Sequence, residues 1–436
     1  MPPALATTDD LRPKATPPKP RPWWRSLLGA QESGLILVIL FMMLALTLGG
    51  GTKPQRTIFP LAPGDTFTST LVSGTSDTYT LAITRADGST QNLQSSSRPR
   101  EAGASDGTRS LSITRQVNAF LDPANLILVL KDASFIAVIA VGMTAVIILG
   151  GIDLSVGSIY ALAAICGAVL LNAMQGQLVA ATPTLPAHRS GWMPDASVFL
   201  AVPLGLMVCT LVGGLCGLAN GSMVVGLRVH PFVITLGMMA ALRGVTILIP
   251  KELMGEQSVG GFPPSYQDGF FRADIAGVQP VPIFFMLIVA LVGWFILSRT
   301  VFGRRTYAIG GNETAARYAG VPVGRVKILV YTIVGALAGL SGAMYIGYFG
   351  AAETGAGGGY ELQVIAATVI GGASLSGGRG TAIGAILGAI LVRLIDSGMV
   401  ILRIPQDYNQ IVMGAAIILA VVVDQAKSGL SKGKRG

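Results

Sequence analysis

Charged side chains are scarce in this sequence. Asp, Glu, Lys and Arg make up 12% of its 436 residues, whereas a soluble domain carries about 25%. Hydrophobic residues make up 51%, and several apolar runs approach the ~20 residues that a helix needs to cross a bilayer. These runs do not alternate apolar and polar residues, as the strands of a membrane barrel would. The composition therefore excludes an ordinary soluble protein and predicts an all-α polytopic membrane protein.

Eight apolar runs are clear, and two weaker segments, 231–249 and 361–372, could raise the number of transmembrane helices to ten. Basic residues cluster at both termini and in one interior loop, 299–327. Because cytoplasmic segments carry an excess of Lys and Arg, we expect these three places in the cytoplasm and an even number of spans. The eight clear runs are 33–49, 134–150, 159–173, 197–218, 281–298, 328–348, 381–395 and 410–423.

Histidine and cysteine are rare as well. His188 and His230 are the only histidines and lack metal-ligand spacing, so we expect no metal site. Cys166, Cys209 and Cys216 lie in apolar runs and are interpreted as small core residues, not as a disulfide framework. The sequence also lacks the phosphate-binding motif G-x-x-x-x-G-K-[ST]. An energy source must therefore come from a partner or an ion gradient, and we predict no catalytic residue and no cofactor.

A net charge of +9 could suggest a nucleic-acid partner, but no nucleic-acid-binding motif accompanies it. The location of the basic residues favours a cytoplasmic membrane surface instead.

Composition divides the chain into five segments. We expect a disordered cytoplasmic tail at 1–30, a first transmembrane helix at 31–50, an extracytoplasmic insert at 51–117, a transmembrane domain at 118–424 and a basic cytoplasmic tail at 425–436. The insert contains alternating apolar and polar residues around Asp87-Gly88 and a second alternating run, SLSITRQV. Alternation around Asp-Gly is typical of a β-hairpin. We therefore predict a small β-type insert.

One polar stretch, GGIDLSVGS at 150–158, interrupts the apolar sequence. An aspartate in lipid costs ~2.5 to 3.5 kcal/mol, so Asp153 must face protein or water or lie at a membrane boundary. The two glycines can end one helix, Asp153 or Ser155 can cap the next, and Gly157 permits close packing. Asp153 could be a simple helix cap, a contact to a transported solute, or both.

The chain also contains two pairs of short segments that are weakly similar in sequence, which we call internal echoes. GGIDLSVG at 150–157 resembles GGASLSGG at 371–378, and NGSMVVGLRVHP at 220–231 resembles DSGMVILRIP at 396–405. Many transporters consist of two structural repeats. We therefore predict an internal repeat, although glycine-rich apolar sequence can also resemble itself by chance.

The interior basic loop contains GGNETAARYAGVP, which predicts a short helix. Asn312 suits the N-cap, Glu313 and Arg317 suit the positive and negative ends of the helix dipole, and Gly320 suits the C-terminal position. A helix of two turns is not stable alone. The pattern favours docking against a partner over a solvated loop.

Four segments together resemble the permeases of bacterial ABC transporters that import ribose and other monosaccharides. The resemblance covers most of residues 118–424. This chain departs from the family in the insert at 51–117 and in Gln363, where the family commonly has an acidic residue. The segments are FLDPANLILVLKDASFIAVIAVGMTAVIILGGIDLSVGS, NGSMVVGLRVHPFVITLGMMAALRG, TVFGRRTYAIGGNETAARYAGVPVGRVKILVY and GYELQVIAATVIGGASLSGGRGT.

This resemblance implies a permease subunit in the bacterial inner membrane that forms the pathway for a neutral sugar. It implies two ATP-binding cassette subunits on the inner face, a second permease copy or paralogue, and a sugar-binding protein on the outer face, with lipid around the helices. We place seven residues in or beside the pathway as helix breaks and liners: Asp153, Ser155, Gly157, Asn220, Gly221, Glu361 and Gln363. We expect six to contact the ATPase subunit: Asn312, Glu313, Ala316, Arg317, Tyr318 and Gly320.

The residues themselves leave three alternative functions open. Asp153 could be the ion site of a secondary transporter. A membrane-embedded enzyme could use Glu361, Asp396 and Asp153, although these carboxylates have no motif spacing. The insert could serve to hold a partner outside the membrane.

Overall fold

A computed structural model of the chain describes residues 31–72, 78–103, 109–181, 196–275 and 277–432. The predictions for the tail at 1–30, for His188 and for residues 433–436 fall outside these residues.

Eight of the described helices are long and apolar enough to cross a membrane, which confirms a polytopic helical protein. These candidate spans lie in α1 to α5, α7, α10 and α12. The helices, in chain order, are α1 (Gln31–Gly49), α2 (Pro123–Ile148), α3 (Val156–Ala181), α4 (Ala196–Leu227), α5 (Pro231–Met254), α6 (Pro264–Tyr266), α7 (Val281–Arg299), α8 (Val301–Gly311), α9 (Glu313–Tyr318), α10 (Val323–Phe349), α11 (Tyr360–Ile370), α12 (Ala382–Ile401) and α13 (Asn409–Lys432).

The eight candidate spans are not the same as the eight clear apolar runs of the sequence. The segment at 231–249 belongs to α5, which is a full-length candidate span. The segment at 361–372 forms α11, whose 11 residues extend about 16 Å, roughly half of a hydrocarbon layer. The expectation that this segment could be a tenth span is therefore wrong, because the chain turns at Gly371 and Gly372. The run at 410–423 lies in α13, outside the eight, and its crossing stays a prediction.

Residues 52–118 form two three-stranded antiparallel sheets with the strand orders β1-β6-β5 and β2-β3-β4. The predicted hairpin is confirmed, since β3 pairs with β4 and Gly88 has a φ of +84° in the turn. The predicted run SLSITRQV lies in β6, where Leu111 and Ile113 are fully buried. The strands are β1 (Thr52–Leu61), β2 (Thr66–Leu71), β3 (Tyr79–Thr84), β4 (Thr90–Ser95), β5 (Arg100–Gly103) and β6 (Arg109–Asn118).

The sheets are joined to the helices at the start of α2. Asp122 is the N-cap of α2, and its Oδ1 accepts a hydrogen bond from Ala124 N at 3.2 Å. Its Oδ2 lies 2.7 Å from Lys53 Nζ in β1, and this hydrogen-bonded ion pair holds the pKa of the Asp122 carboxyl below its ordinary value. Asn118 Nδ2 donates to Thr47 O of α1 at 2.9 Å. One short segment therefore ties α1, β1 and α2 together.

Close contact between α4 and α10 forms the centre of the helical region. A side chain at Gly213 or Gly217 would collide with the backbone of α10, and one at Gly335 or Gly339 would collide with the backbone of α4. Small residues let helix backbones approach within lipid. Cys209 is buried beside this contact, and all three cysteines are free, as their interpretation as core residues requires.

The two internal echoes share turn conformations but not positions. Gly150 and Gly372 both end helices at positive φ, and the next residue donates to the carbonyl five positions earlier in each case. Arg228 and Arg403 also share an unusual positive φ, at 55° and 58°.

The turns at Arg228 and Arg403 lie at opposite ends of the helical region, whereas the turns at Gly150 and Gly372 lie at the same end. Gly378 N donates to Ile148 O at 2.9 Å, so the two glycine turns meet. Thr235, close after Arg228, approaches Ile152 O of the same end. Leu402 instead packs near Gly49, at the end of α1 opposite to Glu32 and Thr381. The two echoes therefore do not belong to one simple repeat, and the internal repeat stays a prediction.

We predict that Asp122→Ala lowers the stability of the protein by about 1 kcal/mol, because α2 loses its cap. Thermal unfolding of the purified protein in detergent measures the effect. The difference from wild type should shrink as the pH falls through the lowered pKa of Asp122, because protonation removes the ion pair in the wild type as well. Asp268→Ala is the control, since its 73% exposed side chain makes only a 3.8 Å pair. Equal midpoints for the two variants would contradict the cap assignment.

Candidate functional site

The polar stretch between α2 and α3 forms a buried hydrogen-bond network, in which Asn220 Oδ1 has no partner among the described residues. Asp153 Oδ1 accepts from Ser155 N at 2.9 Å and from Ser155 Oγ at 2.6 Å. Asn220 Nδ2 of α4 donates to Ser155 Oγ at 2.7 Å and lies 3.5 Å from Asp153 Oδ2. All three residues are fully buried. The structure thus brings together three of the predicted site residues, with Asp153 capping the backbone where α3 begins.

Neighbouring helices close around this network. Gly221 packs on α10, where an added Cβ would lie 2.8 Å from Ile328 Cα. Gly151 packs on Tyr331 of α10, whose hydroxyl has no hydrogen-bond partner among the described residues. Thr235 Oγ1 of α5 lies 3.4 Å from Ile152 O. The turn at 149–155 therefore acts as a clamp that joins α2, α3, α4, α5 and α10; we call it the 153 clamp.

A second group of predicted residues lies around a cleft of about 480 Å³ between α3, α5 and α11. Gly157 packs directly on Glu361: an added Cβ would lie 2.5 Å from Glu361 Oε2 and from Gly357 O. Glu361 lines the cleft together with Ser158 and Arg243. Gln363 is not among its lining residues, and its Oε1 is buried without a partner among the described residues.

Arg243 was missed by the sequence analysis. Its Nη1 donates to Thr354 O at 3.1 Å and to Ala356 O at 2.8 Å, which fixes the guanidinium beside the cleft. The signal was available, because an arginine inside an apolar run at ALRGVT marks a functional position in a membrane helix by default.

The predicted short helix is present as α9, and its caps are those expected. Asn312 Oδ1 accepts from Ala315 N at 2.9 Å, and Gly320 has a φ of +78° where the chain leaves the helix. Ala316 is buried, whereas Tyr318 is 88% exposed. The helix therefore has one inner face and presents an aromatic side chain outward.

Ion pairs fix α9 on the helix that follows it. Glu313 Oε2 lies 2.7 Å from Lys327 Nζ of α10, and Glu313 Oε1 lies 3.0 Å from Arg317 Nη2. The hydrogen bond from Lys327 holds the pKa of Glu313 below its ordinary value, although partial burial opposes this shift.

The segment before α9 contacts the end of α2. Gly310 of α8 packs so tightly on Ile148 O that a side chain at this position would collide with the carbonyl. Gly378 N also donates to Ile148 O, at 2.9 Å. Movement of α8 and α9 would therefore displace Ile148, which lies two residues before Gly150.

Within the described residues, no group of three or more His, Cys, Asp or Glu side chains is arranged to hold a metal ion. The arrangement contains a buried turn that joins five helices, a cleft and an exposed short helix.

Comparison with known proteins decides the family. The model of the family described as branched-chain amino acid transport system / permease component matches residues 125–421. The chain belongs to this family. The match starts shortly after the two sheets and leaves residues 1–124 and 422–436 outside it.

Curated relatives narrow the family to ABC import permeases. The permease is 38% identical over 304 residues to the ribose import permease protein RbsC of Escherichia coli, covering 70% of this chain and 86% of that one. It is 37% identical over 306 residues to the D-allose transport system permease protein AlsC of the same organism, covering 70% and 85%. It is 34% identical over 323 residues to the galactose/methyl galactoside import permease protein MglC of Haemophilus influenzae, covering 73% and 92%. No solved structure matches the chain.

Membership makes the chain a transport subunit and not the subunit that hydrolyses ATP. Together with the eight apolar helices, it also makes the chain a multi-pass inner-membrane protein that works with an ATPase and a binding protein.

We predict that Asn220→Ala destabilises the permease by about 1–3 kcal/mol, because Ser155 and Asp153 lose a donor in a buried site. Thermal unfolding in detergent again measures the change. Asn92→Ala in β4 is the matched control, because Asn92 is exposed and exposed substitutions usually stay within about 0.5 kcal/mol. Indistinguishable midpoints would show that the network does not stabilise the helix junction.

Proposed function

We propose that the permease forms the pathway by which a neutral sugar enters the cell, driven by ATP hydrolysis on separate subunits. The observation that carries this proposal is the similarity over about 70% of the chain to permeases named for ribose, D-allose and galactose. The low charge content of the membrane-spanning helices agrees with an uncharged solute, because charged residues line the pathways of many ion transporters.

Coupling to ATP hydrolysis is assigned to α9. Asn312, Glu313, Ala316, Arg317, Tyr318 and Gly320 shape this helix and its ends, and we propose that it docks on an ATP-binding cassette subunit. The 88% exposed Tyr318 supports docking, because an aromatic side chain is a common anchor of protein interfaces. Two such subunits would serve two permease copies, identical or paralogous.

The coupling route continues to the 153 clamp. A displacement of α9 would move α8, because the two helices are directly connected in the chain. Gly310 of α8 would in turn displace Ile148 at the end of α2. The movement would then pass to α3, α4 and α10 as one unit, because hydrogen bonds and close contacts hold these helices together. The residues that make these contacts are Asp153, Ser155, Asn220 and Gly221. In this mechanism, the clamp residues act as helix breaks, while Gly157, Glu361 and Gln363 lie beside the pathway.

Topology and outer partners complete the proposal. Both basic termini lie in the cytoplasm by the positive-inside rule, which places the two sheets of residues 52–118 on the outer face as an extracytoplasmic insert. A binding protein would deliver the sugar on that face. The largely exposed apolar faces of α5 and α7, 17% and 22% buried, provide surface for lipid and for the second permease copy. The internal repeat remains a proposal that rests on the weak similarity of the paired segments in sequence.

Nothing favours the alternative of an ion-coupled transporter. Asp153 is enclosed in the clamp and already accepts two hydrogen bonds from Ser155. We predict that Asp153→Asn keeps import dependent on ATP, because the single amide oxygen of Asn can still accept the two hydrogen bonds from Ser155 without the charge. Uptake in membrane vesicles with ATP, or with an imposed proton or sodium gradient, measures this. Gradient-driven uptake in wild type that disappears in the variant would establish the ion-coupled alternative.

We predict that an ATP-binding subunit co-purifies with the permease from its native membranes in mild detergent. Glu313→Gln together with Arg317→Gln should lower its recovery at least tenfold, because the pairs that hold α9 are lost. Tyr318→Ala should do the same by removing the exposed anchor. Tyr408→Ala is the matched control, since Tyr408 is 53% exposed but lies after α12. Mass spectrometry identifies the chains, and a wild-type preparation without an ATPase subunit would refute the importer function.

A further inference from the structure

The cleft between α3, α5 and α11 contains two opposite charges that do not pair with each other. Arg243 and Glu361 both line it, yet no ion pair within 4.0 Å involves either residue in the part of the chain that the structure describes. Its volume of about 480 Å³ falls within the ~300–1,000 Å³ of typical small-molecule sites.

Arg243 is held in place while most of its donors remain unused. Only Nη1 makes hydrogen bonds, to Thr354 O and Ala356 O. A guanidinium has five N–H donors, so three have no partner among the described residues. Because both carbonyls belong to the loop before α11, the guanidinium is fixed at the wall of the cleft.

Glu361 is the complementary acceptor. Its Oε2 is buried against Gly157 and has no hydrogen-bond partner, and no bond to Oε1 occurs within the described residues either. The Glu361 side chain as a whole is only half-buried and lines the cleft. A solute in the cleft can therefore donate a hydrogen bond to Oε1, which has no donor within the described residues, so the unpartnered carboxylate points to a ligand.

The two charges together select the chemistry of that ligand. Arg243 repels a cation and Glu361 repels an anion, so a singly charged solute gains little. A sugar hydroxyl can donate to Glu361 and accept from Arg243, and a neutral polyol offers several such groups. Ser158 also lines the cleft, but its hydroxyl already donates to Met239 O at 2.9 Å.

We propose that Arg243 and Glu361 form a transient binding site for one neutral monosaccharide in this cleft, with Glu361 accepting and Arg243 donating hydrogen bonds to its hydroxyl groups. The proposal rests on the proposed function as a sugar pathway and assigns the residues that recognise the sugar within the membrane. Few polar groups take part, which suits a transit site, because a transported solute must also leave.

The test uses the complete transporter, with permease, ATPase subunits and binding protein, in proteoliposomes. ATP-dependent uptake of radiolabelled D-ribose, D-allose, D-galactose and L-leucine is measured for wild type, Arg243→Gln, Arg243→Lys, Glu361→Gln and Glu361→Asp. The binding protein is the same throughout, so differences arise in the permease. Lys251→Gln and Glu252→Gln are matched controls, because both residues are exposed on α5 and do not line the cleft.

We expect Arg243→Gln and Glu361→Gln to lower sugar uptake at least tenfold and the charge-conserving variants to recover part of it. The two control variants should stay within twofold of wild type. Co-purification of the ATPase subunit at the wild-type ratio shows that each variant assembles. Glu361→Gln should also unfold at the same temperature as wild type or higher without sugar, because an unpartnered buried carboxylate is removed.

Three results would overturn the site. Uptake within twofold of wild type in both glutamine variants would show that the cleft does not recognise the solute. Uptake of L-leucine and of none of the sugars, with the same sensitivity to the variants, would assign the cleft to a zwitterion. A lower unfolding temperature for Glu361→Gln, together with unchanged uptake kinetics per assembled complex, would make Glu361 structural. Failure of wild type to bind an ATPase subunit would instead refute the importer function itself.

Discussion

Polar groups inside an apolar bundle must find partners within the protein, and this constraint governs the turn between α2 and α3. The chain has to end one membrane helix and begin another there, so it exposes backbone groups that lipid cannot satisfy. Asp153 supplies an acceptor to the backbone and hydroxyl of Ser155, and Asn220 reaches from α4 to complete the set. Because the donor of Asn220 comes from another helix, the packing of α4 completes the hydrogen bonds of the turn. Local capping and helix packing are therefore one interaction.

The same constraint shapes the junction between the short helix α9 and the end of α2. α9 is too short to be stable by itself, and Glu313 anchors it to Lys327 at the start of α10. Gly310 and Gly378 both contact Ile148 O, so three chain segments meet at one carbonyl. Glycine is required at Gly310 because a side chain would collide with Ile148 O, and at Gly378 because its φ of +74° is a conformation that other residues rarely adopt. Little free space remains at this junction to absorb a displacement.

Local chemistry made much of this architecture predictable from the sequence. The cap at Asn312 and the left-handed glycine at Gly320 depend on a few neighbouring residues, and each was predicted at the correct position. The helical class followed from composition. The half-length of α11 could not be predicted from composition, because hydropathy does not show that the turn at Gly371 falls inside the bundle. The division of the site residues between a clamp and a cleft was also not predictable, because it depends on which helices are neighbours.

The contrast between the clamp and the cleft separates structural from recognising residues. In the clamp, Asp153 is fully buried and its carboxylate is satisfied by partners from two segments. In the cleft, Glu361 and Arg243 have opposite charges, open volume between the surrounding helices and unused hydrogen-bonding capacity. A satisfied carboxylate gains nothing from a passing solute, whereas an unpartnered one does. Mid-membrane polarity alone therefore does not identify a pathway residue. The state of its hydrogen bonds adds information: Asp153 in the clamp has partners within the protein, whereas Glu361 in the cleft has none among the described residues.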